Sequence, residues 1–190
     1  EEWPSAYFNV DDNIHRKDLL LSRPLTPGGA IRALIDQGAE RMLDELDASG
    51  LLGRGGAGYN TARKWKFCRN AVGGIDGRDR VVVCNADEGE PGTYKDRVLL
   101  NAMPGLLLEG MAIAGYAVGA EVGTIYLRAE YTWLQERLQH TIDHFRKMRL
   151  LGRDIYGIEG FHFDVRIQLG AGAYVCGEET AMLNSIEGKR

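Results

Sequence analysis

Arg80-Val81-Val82-Val83-Cys84 runs directly into Asn85-Ala86-Asp87-Glu88-Gly89-Glu90-Pro91-Gly92. The valine run is β-branched and apolar with no polar alternation, the pattern of a strand buried on both faces of a parallel sheet. Residues 85–92 are polar, acidic and closed by Pro-Gly, which ends the strand in a loop. Outward from this stretch, Gly123–Arg128 reads as a second strand. His162–Leu169 reads as a third, with Phe163, Val165, Ile167 and Leu169 alternating. Helical segments separate them. Strand, loop and helix thus alternate three times, which predicts an α/β fold, a three-layer α/β/α arrangement around a mostly parallel sheet. Ligands of such sheets bind beyond the carboxyl ends of the strands. Two chemically unusual loops, 85–92 and 170–180, follow strand ends.

The helices are read from apolar periodicity. One is predicted from Gly28 to about Asp47, with Ile31, Leu34, Ile35, Met42, Leu43 and Leu46 on its apolar face. Short helices follow near 60–69 and 93–101. Pro104 suits a first helical position and opens a helix to Val118, where Gly110, Ala112, Ala114 and Gly115 permit close approach to the sheet. Tyr131 to Leu150 is amphipathic, with Trp133, Leu134, Leu138, Ile142, Phe145 and Met148 expected inward. A last helix is predicted over 178–186. Residues 1–27, punctuated by Pro4, Pro24 and Pro27, read as an N-terminal arm, and 28–190 as one domain.

Hydrophobic content of 44% and charged content of 26% are those of a globular chain with a core. A net charge of −4 argues against nucleic acid as a partner. Cys68, Cys84 and Cys176 are dispersed and form no Cys-x-x-Cys, so no metal or iron–sulfur framework is expected in this segment, and the usage fits a reducing, cytoplasmic compartment. The apolar run Leu106–Ala120 is interrupted by Glu109 and Gly110 and falls short of the ~20 residues of a membrane span. The N-terminus has neither the basic nor the apolar region of a signal peptide. It also lacks an initiator methionine, so a piece of a longer polypeptide is expected.

Gly50-Leu-Leu-Gly-Arg-Gly-Gly-Ala-Gly-Tyr-Asn-Thr-Ala-Arg-Lys-Trp-Lys66 is the second feature with chemical content. A glycine loop feeding a helix offers bare backbone, free N–H groups and a positive dipole end to an anion. It is not a phosphate-binding loop of the Gly-Lys-Ser/Thr type, and no strand leads into it as in a dinucleotide fingerprint. Arg54, Arg63, Lys64, Lys66 and Arg69 make it basic, either as a solvated face or as charge balance for a phosphorylated ligand. Lys64 and Phe67, three apart on a helix, are expected on one face, with Tyr59 a second aromatic surface at the loop exit.

Asn85, Asp87, Glu88 and Glu90 crowd polar side chains behind the first strand. Turn and helix-dipole preferences explain part of this cluster. Carboxylates so close can also bind a metal, shift one another's pKa, or accept hydrogen bonds from ribose hydroxyls or ring N–H groups. Metal is the weaker option because no histidine joins them. Glu178 and Glu179 repeat the acidic theme at a helix start.

The Gly50–Lys66 stretch, Asn85–Thr93 and Gly170-Ala-Gly-Ala-Tyr-Val-Cys-Gly-Glu-Glu-Thr-Ala-Met-Leu-Asn-Ser185 together resemble three blocks of one family. It is the flavin-carrying, NADH-oxidising subunit of respiratory complex I, with the diaphorase subunits of soluble NAD-reducing hydrogenases and NAD-dependent formate dehydrogenases. Leu150–Arg153, Phe161–Gln168 and Glu187–Arg190 lean toward the hydrogenase type. The resemblance implies a Rossmann-like domain that holds FMN and stacks NADH on it. Gly53, Arg54, Gly55 and Gly56 would wrap the flavin, and Lys64, Asn85, Asp87 and Glu88 would hold it by polar contacts. Tyr174, Gly177 and Glu178 would line its other side. Glu90 and Glu179 would contact NADH near the nicotinamide and its ribose, as the catalytic pair, and Tyr59 and Phe67 would clasp the adenine.

The sequence departs from the family at Tyr59-Asn60-Thr61-Ala62, usually Phe-Pro-Thr-Gly. It also ends before the Asn-Asn-Val-Glu-Thr segment, the ubiquitin-like domain and the cysteine-rich domain of a four-iron–four-sulfur cluster. The implied partners are NADH and the iron–sulfur subunits of a larger complex. A non-catalytic interaction module keeping the same fold is the alternative. The intact acidic cluster and Gly-Glu-Glu argue against it, since no structural need calls for them together.

Overall fold

The computed structural model describes residues 26–54, 56–71, 80–174 and 178–189. All but the last two residues of the expected N-terminal arm lie outside these. In order, the elements are α1 (Gly29–Gln37), α2 (Ala39–Ala48), α3 (Thr61–Asn70), β1 (Val81–Ala86), α4 (Lys95–Ala102), α5 (Pro104–Val118), β2 (Val122–Leu127), α6 (Thr132–Lys147), β3 (Asp164–Leu169) and α7 (Glu179–Ile186). The three described strands are all parallel, in the order β1-β2-β3.

The register sorts residues between two faces. Cys84, Ile125 and Ile167 stand side by side, as do Ala86, Leu127 and Leu169. This face carries the main core, closed by Leu108, Met111 and Ala112 of α5 and by Leu134, Leu138 and Ile142 of α6. The opposite face, with Val83 and Tyr126, meets Met182 and Ile186 of α7. Helices therefore cover both faces, one thickly and one thinly. On the thin side Thr124 and Arg166 pair through a hydrogen bond of 3.2 Å.

Glycine lets α5 seat itself. A Cβ at Gly115 would stand 2.3 Å from the Phe163 ring, and one at Gly123 of β2 2.7 Å from it, so both must lack a side chain for Phe163 to be buried between helix and sheet. Gly110, expected in the same role, has open space around it.

Three expectations change. The single helix predicted from Gly28 to Asp47 is two helices, α1 and α2. Gly38 interrupts them at φ 82°, ψ 159°, a conformation closed to residues with a Cβ. Trp133 is 48% and Met148 42% exposed rather than inward, because the buried row of α6 runs through Leu134, Leu138, Ile142 and Phe145, and Met148 lies beyond the helix end. β1 is not buried on both faces: Val81 is 54% exposed, and β2 is the strand buried along most of its length. Among the described residues β1 pairs on one side only. An apolar cavity of about 480 Å³ adjoins it, lined by Cys84, Leu99, Met103, Leu107 and Met111 among others.

Among the described residues no single helix is long and apolar enough to cross a membrane. The apolar stretch 106–120 instead buries Leu108, Met111, Ala112, Ala117 and Val118 in the chain's own core.

Candidate FMN and dinucleotide cleft

The glycine loop is built as a narrow hairpin. Gly53 N–H donates to the Tyr59 carbonyl at 2.7 Å and Thr61 N–H to the Leu51 carbonyl at 3.0 Å, which leaves the glycines at the tip. Gly56 and Gly58 have φ of 109° and 62°, where side chains are strained. Asn60, a departure from the family pattern, caps α3: its Oδ1 accepts from Arg63 N–H at 2.8 Å, while its Nδ2 reaches Asp47 at 3.3 Å.

The three strand ends deliver the other walls. The acidic loop follows β1, the Arg128–Tyr131 turn follows β2, and the second glycine loop follows β3. A Cβ on Gly89 would lie 3.0 Å from the Tyr174 carbonyl, so the first and third of these loops touch at a glycine. Tyr174 also donates a short hydrogen bond to the Glu90 carboxylate, which raises the phenol's pKa.

Between α3, β1 and α7 lies a cleft of about 770 Å³. Of the candidates read from sequence, Gly53, Tyr59, Lys64, Asn85, Glu178 and Glu179 line it. Lys64 Nζ and Glu179 Oε1 meet across it at 3.1 Å. Glu178 serves α7 directly: its carboxylate accepts from the Thr180 and Ala181 N–H groups, each at 2.9 Å, and these bonds lower its pKa. Lys66 points elsewhere, to Asp44 at 3.0 Å and Asp47 at 3.3 Å on α2, and these partners raise its pKa.

Arg54, Gly56, Asp87, Glu88, Glu90, Tyr174 and Phe67 are not in the lining. Phe67 is 66% exposed and does not share the cleft-facing row of α3, which is Thr61, Lys64, Trp65 and Cys68. A residue three positions on lags a full helical turn, and here the fourth position, Cys68, follows Lys64 into the cleft. Gly55 and Gly177 fall outside the described residues. Thr61, Trp65, Cys68, Met182 and Leu183 line the cleft without having been singled out; their helical spacing from Lys64 and Glu179 was the available signal.

Glu88 is buried, and its carboxylate is saturated by the chain itself. It accepts from Asp96 N–H at 2.7 Å, Tyr131 OH at 2.7 Å, Arg97 Nε at 3.1 Å and Arg97 N–H at 3.4 Å. Burial pushes its pKa up, but these donors together outweigh burial and hold it below the usual glutamate range. Asp87 is the reverse. Burial raises its pKa, with Arg128 opposing and Glu130 assisting. Its Oδ2 is buried with no hydrogen-bond partner among the described residues. An acceptor left so beside a cleft fits a ligand that brings a ring N–H, as a flavin does. Among the described residues no group of three metal-ligating side chains could hold a metal ion.

Parallel strands, ligand loops at their carboxyl ends and a cleft bordered by a glycine hairpin define a nucleotide-cofactor-binding α/β domain of the Rossmann-like class. The chain belongs to the Nuo51 FMN-binding domain family, whose model matches residues 46–190. It is 46% identical over 185 residues to the NAD-reducing hydrogenase HoxS subunit alpha of Cupriavidus necator, covering 95% of this chain and 30% of that one. It is 45% identical over 157 residues to the mitochondrial NADH dehydrogenase (ubiquinone) flavoprotein 1 of Dictyostelium discoideum, covering 83% of this chain and 32% of the relative. A crystal structure of an NAD+-reducing NiFe-hydrogenase in the H2-reduced state superposes with a TM-score of 0.80 at 39% identity, over 99% of this chain and 31% of that one. The chain thus spans about a third of the length of these relatives.

Proposed function

We propose that this domain is the hydride-accepting module of an NADH:acceptor oxidoreductase, with FMN seated in the cleft between α3 and α7 and NADH laid against it. The observation that carries this reading is that Gly53, Lys64, Asn85 and Glu179, from three separate blocks of sequence, border one cleft that runs along β1 between α3 and α7. The bound flavin would supply the chemistry, taking two electrons as hydride and giving them up singly. The chain's own residues bind and orient. The glycine hairpin, with Arg54 and Gly56 in its loop, would bring bare backbone to the cofactor. Lys64 offers a charge-assisted hydrogen bond. Asp87 offers its unpartnered oxygen to a ring N–H. Asn85 and Glu178 would form the remaining wall, with Glu88 and Tyr174 outside the lining, and Glu88 and Glu178 hold backbone in place. Glu90 and Glu179 would meet the nicotinamide and its ribose, and Tyr59 would flank the adenine from the cleft lining, with Phe67 outside that lining.

The electrons would leave to iron–sulfur subunits of a larger cytoplasmic complex. The identity to the hydrogenase subunit over nearly the whole chain favours the diaphorase part of an NAD-reducing hydrogenase. The test is optical. The full-length parent protein, purified with FMN, should be yellow and should bleach anaerobically on addition of NADH. A full-length protein that stays colourless after reconstitution overturns the proposal and leaves the interaction-module reading.

A further inference from the structure

We propose that Arg128 and Tyr131, at the end of β2, are positioning residues that fix the acidic loop through Glu88 and so set where Asp87 and Glu90 stand relative to the cleft. Their role rests on the flavin reading of that cleft. The loop has few ties of its own: Asp87 N–H to Asn85 Oδ1 at 3.1 Å and Thr93 N–H to the Glu90 carbonyl at 3.2 Å, both local. Further ties come from Asp96 N–H and Arg97 on α4, from Tyr174, whose hydroxyl donates to Glu90, and from the β2 turn. Arg128 N–H donates to the Ala86 carbonyl at 3.1 Å, and its guanidinium donates to the Glu88 carbonyl and to Glu130, the latter at 3.0 Å. Tyr131 OH donates to Glu88 Oε2.

The guanidinium of Arg97 lies 4.7 Å and that of Arg128 5.5 Å from the Tyr131 ring, and Tyr94 covers Arg97 at 4.5 Å. A buried carboxylate is costly unless each oxygen is satisfied. Glu88 therefore has one favourable position, and the backbone on either side of it follows. Asp87 and Glu90 lie one and two residues away. A network that merely joined α4 to α6 would carry stability but would not set the geometry of the cleft.

Tyr131→Phe tests this most cleanly, because it keeps the ring and its cation contacts and removes only the 2.7 Å donor. Arg128→Lys is the second variant; it keeps the charge and loses the forked contact. Ile142→Val, in the buried row of α6 away from the loop, is the reference for plain destabilisation. In the full-length parent protein, amide exchange is measured without flavin, then FMN affinity and the flavin midpoint potential with it. Tyr131→Phe should speed exchange of the amides of residues 87–94 and weaken FMN about three- to tenfold, the worth of one hydrogen bond. It should also shift the potential, while Ile142→Val at equal loss of Tm does none of these. Arg128→Lys should act in the same direction. If both loop variants match Ile142→Val in all readouts, the positioning role is overturned. If they loosen the loop while the wild-type protein takes up no FMN, the positioning role stands and the flavin reading falls.

Discussion

Glu88 puts the largest electrostatic stake of the site in one side chain. Its pKa is depressed in the folded chain because donors from Asp96, Tyr131 and Arg97 outweigh burial. A depressed carboxylate contributes stability above its unfolded pKa and loses that contribution as pH falls through the folded value. Glu88→Gln should therefore cost about 2–4 kcal/mol at pH 7, the cost of breaking a buried charged network. Denaturant unfolding of the variant and the parent should converge in acid; a gap that stays constant with pH contradicts the assignment. The two lysines of α3 make a second contrast. Lys66 is committed to α2 by Asp44 and Asp47, and Lys64 faces Glu179 over the cleft. Lys64→Ala should weaken FMN or NADH binding roughly tenfold, as loss of a charge-assisted hydrogen bond does. Lys66→Ala should leave cofactor titration nearly unchanged. Equal effects would place the ligand on the wrong side of α3.

At the scale of elements, α5 and the α1–α2 break carry the consequences. Glu109 of α5 is 1% exposed and faces the first N–H groups of α1, those of Gly28, Gly29 and Ala30, without closing hydrogen bonds of normal geometry. Burial raises its pKa more than those N–H groups lower it. A raised folded pKa means the contribution to stability is fully present below the unfolded value and is lost as pH rises. Glu109→Gln should thus raise Tm by about 2–4 °C near pH 7, the effect of ~1 kcal/mol in a chain of this size. The gain should vanish in acid. A variant destabilised at neutral pH would show that the carboxylate is needed as an anion at the start of α1. Gly38→Ala addresses the break itself. At φ 82° and ψ 159° a Cβ is strained, so a loss of about 1–3 kcal/mol in urea unfolding is expected. A neutral result would mean that α1 and α2 can fuse into one helix.

For the whole molecule, the proposed function raises the question of where electrons would go once a hydride arrives. The chain has three cysteines, Cys68, Cys84 and Cys176, and an iron–sulfur cluster needs four ligands. Burial pushes the Cys84 thiol up to about 12, so it stays protonated and unreactive at neutral pH. FMN bound to these 190 residues should accept one hydride equivalent from NADH and return electrons only to oxygen or an added acceptor. Anaerobic titration with optical and paramagnetic resonance spectra checks this. A reduced iron–sulfur signal from the 190 residues alone would refute it.

Element type and the sites of the loops were legible in the sequence because each is a local property, and the parallel direction followed from the helical segments that separate the strands. The valine run at β1, the alternation in β3 and Pro104 at the start of α5 announce themselves within a few residues. The grouping of the acidic loop with the second glycine loop followed from the parallel order, which sends every strand's exit to one end of the sheet, whereas the glycine hairpin, which follows a helix, is brought to the cleft only by the packing of α3. What each acidic side chain does was not legible. Glu88 turns inward because Tyr131, 43 residues on, supplies its donor, and Glu179 meets Lys64 from 115 residues away. Glu178 is taken up by its own helix, Phe67 stands outside the cleft, and Trp133 faces solvent. Periodicity places a residue on a face of its own element, but the partner that satisfies a charge comes from another element, so only the packed chain decides which carboxylates are consumed by the fold and which stay available to a ligand.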